Sequence, residues 1–155
     1  TDLNVWDEVF TKNARAEIIF SKKCIPMMRK NKWGRVVTIT SIYGKEGGGR
    51  PWFNIAKASE VALMKSLSLT KYLVRDRITF NTVAPGGIFI PGAGFEKEKN
   101  ENEEKYLKEI DDNYPLGRMG KPEEVAYLVS YLCSEMAGLI NGAQISIDGG
   151  QSRSF

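Results

Sequence analysis

Apolar residues recur at helical spacing through residues 5–31. Val5, Trp6, Val9, Phe10, Ile18, Ile19 and Ile25 mark one long helix there. Pro26 is placed to bend its last turns, and Gly34 to end it. The pattern then changes: residues 35–40 (RVVTIT) are short, apolar and β-branched, which predicts a buried strand. Gly44, Gly47, Gly48 and Gly49 mark a loop. A second helix is predicted over 51–74, opened by Pro51 and carrying Ala56, Val61, Leu63, Met64, Leu67 and Leu73 on its apolar side. Residues 77–83 (RITFNTV) read as a second strand, closed by Pro85-Gly86-Gly87. Residues 96–112 are rich in Glu and Lys and read as a surface helix or lid. Pro122, followed by Glu123 and Glu124 in the first turn, opens another helix. Residues 143–147 form a third strand, ended by Asp148-Gly149-Gly150.

Strands alternating with helices predict an α/β fold with a parallel sheet and helices on both faces. A doubly wound nucleotide-binding sheet usually has about six strands, and only three are predicted here. At about 30 residues per βαβ unit, the sheet lacks roughly a hundred residues upstream. The chain also opens in a helix, without a methionine. Residues 1–155 are therefore expected to be the C-terminal part of a single domain. The first strand would have an unpaired edge, which something must cover.

Composition narrows the chemistry. The net charge is +3 with both signs interspersed, so no nucleic-acid partner is expected. No apolar run is long enough to span a membrane. Cys24 and Cys133 fall inside helical patterns and are expected to be buried free thiols, which points to a reducing, cytoplasmic compartment. The chain has no histidine, which removes Ser-His-Asp hydrolysis, Cys-His chemistry and most zinc sites. No metal site is expected.

Several ordered signals resemble the short-chain dehydrogenase/reductase family over nearly the whole chain. The family has an asparagine on a long helix, a serine after a buried strand, and a Tyr-x-x-x-Lys pair opening the next helix. Asn13, Ser41 and Lys57 match the first, second and last of these. Residues 81–87 (NTVAPGG) resemble the strand-end loop near the nicotinamide. Residues 115–125 (PLGRMGKPEEV) resemble the turn before the next-to-last helix, and Asn141-Gly142 through Asp148-Gly149-Gly150 the last strand. The resemblance implies a Rossmann-like fold and hydride transfer between NAD or NADP and a carbonyl or secondary alcohol. It gives Lys57 two roles, tuning the acid and holding the nicotinamide ribose. Ser41 would orient the substrate oxygen, and Asn13 would steady a relay water. Pro85, Gly86 and backbone groups of Ile88 would face the cofactor.

Two positions depart from the pattern. Phe53 stands where the tyrosine should be, keeping the ring and deleting the hydroxyl. A lysine at i+4 lies on the same helix face and favours the phenolate of a tyrosine whose unperturbed pKa is near 10; Phe53 leaves it nothing to tune. The change fits a deliberate silencing, a natural binding protein without turnover, or an enzyme whose proton comes from elsewhere, with Tyr43 the nearest hydroxyl in sequence. Ile90 stands near the position of the threonine that often contacts the nicotinamide amide. Gly92-Ala93-Gly94 lacks the strand-turn-helix context of a phosphate loop and reads as a hinge for the lid. Phe89, Ile90 and Phe95 are candidates for lining the substrate pocket or anchoring that lid. The glycine-rich pyrophosphate loop and the residue choosing NAD or NADP would lie upstream of Thr1. The resemblance further implies a homodimer or homotetramer. Three readings follow: an oxidoreductase impaired at Phe53, a non-catalytic nucleotide- or protein-binding member, and a bare interaction fragment.

Overall fold

A computed structural model describes residues 1–154; the expected domain span of 1–155 is thus described as far as Ser154, with Phe155 outside it. Three strands form one parallel sheet in the order β1-β2-β3: β1 (Gly34–Ile39), β2 (Ile78–Pro85) and β3 (Gln144–Ile147). Ile39 pairs with Val83, and Val83 with Ile145. β2 is buried along nearly its whole length, as expected for a central strand covered on both faces.

The long first helix runs as α1 (Leu3–Phe10), a π-helical turn (Thr11–Arg15) and α2 (Ala16–Asn31). The π turn was not legible in the 3.6-residue periodicity. It surrounds Asn13, and single-turn π segments frequently accompany functional sites. Gly34 does not end α2. Lys32 does so in the left-handed conformation, and Gly34 begins β1, where a Cβ would meet the Met28 Sδ at 2.6 Å.

The second long helix is shorter than expected. α3 (Pro51–Ser68) stops where Asn141 donates to the Ser68 carbonyl at 2.9 Å, and α4 (Lys71–Arg75) follows as a separate turn. Arg77 has φ 61° and lies outside β2, which extends on to Pro85. The charged lid is two helices, α5 (Gly94–Glu101) and α6 (Glu103–Asn113), separated by Asn102, whose side chain accepts from the Lys105 amide. α7 (Pro122–Leu132) begins as expected, and its first turn is tied back when Arg118 forks onto Glu124 at 2.8 and 2.9 Å. That pairing holds the Glu124 carboxyl down at about 2.

The alternation of strand side chains builds two cores. On one face Ile78 and Phe80 pack with Val36, Met64, Leu67 and Leu73 beneath α2, α3 and α4. On the other, Val83 packs with Val37, Ile145, Leu128 and Leu132 beneath α7. This two-faced arrangement is the doubly wound plan in partial form. α1 is pinned to α3 by Trp6 and Trp52, whose rings meet edge-on at 5.9 Å. The cysteine expectation fails: Cys24 and Cys133 are free but exposed, Cys24 on α2 and Cys133 just past the end of α7. Among the described residues no helix is long and apolar enough to cross a membrane.

Candidate active site

All three strands run the same way, so their carboxyl ends share one rim, where open α/β sheets bind ligands. Ser41 follows β1, Pro85 ends β2, and Asp148 follows β3. β1 is tied to β2 at this rim by Thr40, whose amide and hydroxyl both donate to the Val83 carbonyl, at 2.8 and 3.1 Å. Ser41 then leaves the sheet in extended conformation and caps a short 3-10 turn (Ile42–Gly44), its Oγ accepting from the Tyr43 amide at 3.2 Å. That bond uses one lone pair and leaves the hydroxyl free to donate.

The turn after Ser41 lies directly on α3. A Cβ at Gly44 would meet the Lys57 carbonyl oxygen at 3.1 Å. Lys57 is buried, and its ammonium donates to the Ile39 carbonyl at 3.1 Å and to Glu60 Oε2 at 3.0 Å. Ile39 precedes Ser41 by two residues, so the lysine head and the serine sit at one strand end. The same ammonium lies 5.7 Å from the Phe53 ring centroid, within cation–π range. An ammonium has three donors. Two are committed, and one remains for a ligand.

Asn13 is held differently. Its amide donates to the Val9 carbonyl at 2.8 Å, inside its own helix. The π turn packs against α3, which brings Asn13 to the helix carrying Lys57, without a direct bond between the two among the described residues.

The β2 rim loop is tightly built. Gly87 donates to Gln151 Oε1 at 2.7 Å, and a Cβ there would meet the Tyr114 Oη at 2.3 Å. Gly86 has Gln151 and Asp148 against it in the same way. Burial pushes the Tyr114 phenol up. Gly120 donates to the Gly87 carbonyl and accepts from the Phe89 amide, both at 2.9 Å, which leaves the amide and carbonyl of Ile88 between them uncommitted among the described residues. These groups and the spare Lys57 donor fit the amide and ribose of a nicotinamide, respectively. No described residues form a strand–turn–helix pyrophosphate loop, so the fit extends to the nicotinamide end alone.

Two clefts open onto the rim. One is lined by Val9, Tyr43, Arg50, Trp52 and Phe53. The other includes Tyr43, Glu46, Glu109, Asp112 and Arg153. Tyr43 belongs to both, so its ring borders the position-53 cleft, held over Gly48 and Gly49. Phe89 and Phe95 anchor the lid, packing with Ile110, Tyr114 and Met119, while Ile90 is 49% exposed.

Sequence reasoning missed the acidic partners of Lys57. Glu60 is one helical turn from the lysine, a spacing visible in the sequence. Glu17, on α2, joins through the fold: the Thr38 hydroxyl of β1 donates to its Oε1. Burial raises the Glu17 carboxyl to about 7, helped by the neighbouring Glu60 and opposed by Thr38 and Lys57. Burial also raises Glu60, with Lys57 opposing.

Comparison with known proteins bears on the family and the fold. The sequence model of the enoyl-(acyl carrier protein) reductase family matches residues 1–152. The chain is 37% identical over 146 residues to a 3-oxoacyl-[acyl-carrier-protein] reductase of Aquifex aeolicus, covering 94% of this chain and 56% of that protein. It is 34% identical over 148 residues to dehydrogenase/reductase SDR family member 4 of Oryctolagus cuniculus, covering 94% of this chain and 54% of that one. Among solved structures, an oxidoreductase of the short chain dehydrogenase/reductase family from Burkholderia thailandensis superposes with TM-score 0.87 at 27% identity, over 97% of this chain and 57% of that one. The chain thus spans a little over half the length of the relatives it matches. With the parallel sheet, the Ser41–Lys57 rim and these matches in agreement, the chain belongs to the short-chain dehydrogenase/reductase family.

Proposed function

We propose that this chain carries the substrate-facing part of an NAD- or NADP-dependent oxidoreductase acting on a carbonyl or secondary alcohol, with turnover impaired by Phe53. The observation that carries the reading is the placement of Lys57. Its ammonium is buried, braced by Ile39 and Glu60, and retains one donor beside Ser41 and the ring at position 53. The cofactor supplies the hydride when bound. Lys57 holds the ribose, Ile88 meets the carboxamide through its backbone, and Pro85 and Gly86 fix that loop. Ser41 donates to the substrate oxygen, and Asn13 steadies the helix behind the lysine. Phe53 offers no proton.

That missing hydroxyl also favours a second reading, a non-catalytic member that binds nucleotide or protein. In either case the exposed apolar residues Phe10, Ile18, Ile19 and Phe20 on one side, and Tyr127, Met136 and Leu139 on another, support a homodimer or homotetramer. The free thiols of Cys24 and Cys133 support a cytoplasmic location.

The reading is tested by titrating NADH and NADPH into the full-length protein and following Tm. A ligand at 100 times its Kd stabilises the native state by about 2.7 kcal/mol, which is a rise of several degrees. Lys57→Met removes the ribose contact and is expected to weaken the response at least tenfold in concentration. No response to either dinucleotide would overturn the oxidoreductase reading and the nucleotide-binding form of the second.

A further inference from the structure

We propose that Glu17 and Glu60 hold one proton between them beneath Lys57, and that this pair acts as a proton-linked positioning device for the lysine head. The inference rests on the reading above, in which Lys57 holds the nicotinamide end, and adds to it two residues with no role there.

The geometry is a stack of two helices and a strand. Lys57 and Glu60 come from α3, Thr38 and Ile39 from β1, and Glu17 from the first turn of α2, immediately after the π turn. Glu60 is buried, with one oxygen 3.0 Å from the ammonium. Glu17 Oε1 accepts from the Thr38 hydroxyl, and its Oε2 is buried without a partner among the described residues. With Glu60 buried and Glu17 half-buried beside one ammonium, one negative charge is left unmatched, and an unmatched buried charge is costly. A proton removes the mismatch. It converts the orphaned carboxyl oxygen into a hydroxyl donor and leaves one carboxylate for the one ammonium.

The Thr38 hydroxyl contacts Glu17 directly, and the Glu60 carboxylate and Lys57 ammonium act on it through space. Ser21 and Cys24, farther along α2, line the cavity that Glu17 borders and carry no charge. Arg35 of β1 also borders that cavity, but its guanidinium is spent on the carbonyls of Gly34, Arg77 and Ser134. It forms no ion pair with Glu17 or Glu60 among the described residues. Consistent with this, burial holds the Glu17 carboxyl at about 7.

The sign of the consequence is fixed. The folded pKa of Glu17 lies above its ordinary value of 4.5, so the folded state keeps a proton that the unfolded chain releases. Its contribution to stability is complete below about 4.5, falls as pH rises towards 7, and stays lost above that. The protonated pair matches Lys57 one to one, and ionisation adds a second carboxylate that competes for the ammonium.

The test uses carbon-13 carboxyl NMR of the full-length protein and of its Glu17→Gln variant. One glutamate carboxyl is expected to titrate with a midpoint near 7, and Glu17→Gln is expected to abolish that titration. Gln keeps the acceptor for Thr38, so folding is preserved. In parallel, the unmodified protein should lose several degrees of Tm between pH 5 and pH 8 relative to Glu17→Gln. A protein that binds NADH or NADPH but has every glutamate titrating below pH 6 overturns the pair. A neutral titration that survives Glu17→Gln overturns the assignment to Glu17. A titrating pair in a protein that binds neither dinucleotide overturns the site reading and confirms the pair.

Discussion

Replacing Phe53 with tyrosine is expected to raise turnover by roughly 10²–10⁴-fold, the usual worth of a positioned general acid. On the proposed reading, the site is otherwise assembled for that hydroxyl. The ring at position 53 is partly buried at the mouth of a cleft shared with Tyr43, so the space for an aromatic side chain already exists. Lys57 lies one helical turn on, its ammonium 5.7 Å from the ring centroid. A cation there favours the phenolate of a tyrosine and lowers its pKa from about 10. Lys57 cannot drift away to solvent, because Ile39 and Glu60 hold it. The check is the initial rate of nicotinamide absorbance change over a panel of ketones and secondary alcohols. The gain should vanish when Phe53→Tyr is combined with Lys57→Met, since the acid then has nothing to tune it. If Phe53→Tyr gives no gain with any substrate of the panel, position 53 is not the acid position.

Asn81→Ala is expected to destabilise the fold by about 2–6 kcal/mol. Asn81 is fully buried in β2. Its amide donates to the Ile140 carbonyl at 2.8 Å, and its carbonyl accepts from the Ala143 amide at 3.0 Å. These two bonds hold the turn that delivers β3 to the sheet. Asn141 works from the other side, accepting from the Phe80 amide at 3.0 Å. Truncation leaves two backbone groups unpaired in the core, at about 1–3 kcal/mol each. A domain with a total of about 5–15 kcal/mol would lose much of its margin. The measurement is the midpoint of urea unfolding. A shift worth less than about 1 kcal/mol would mean that water or a rotated neighbour replaces the lost bonds.

Asn81 also shows where sequence reading succeeds and stops. Its segment, NTVAPGG, marks the loop near the nicotinamide by resemblance. Pro85 and Gly86 within that segment, and Ile88 just after it, lie at the rim, while Asn81 is a core staple in the central strand. Strands were legible because runs such as RVVTIT and RITFNTV are short and rich in β-branched residues. Their ends were not, because Arg77 and Lys32 adopt left-handed backbone that residue type does not announce. The π turn at Asn13 escaped because one extra residue per turn barely disturbs an apolar stripe. The thiols were misjudged because a helical pattern does not say which side of the helix meets the sheet. Within the site, Ser41, Phe53 and Lys57 could be named from spacing and resemblance. Glu60 was within reach at i+3 from Lys57. Glu17 was not, since forty residues separate it from the lysine and only the packing of α2 on β1 and α3 brings it near.

The account is tested most directly by a crystal structure of the full-length protein with NADH or NADPH bound. It predicts the Lys57 ammonium within hydrogen-bond distance of the nicotinamide ribose, the backbone of Ile88 on the carboxamide, and Ser41 and the Phe53 ring on the open side of the nicotinamide. A dinucleotide whose nicotinamide lies away from Ser41 and Lys57 would contradict it.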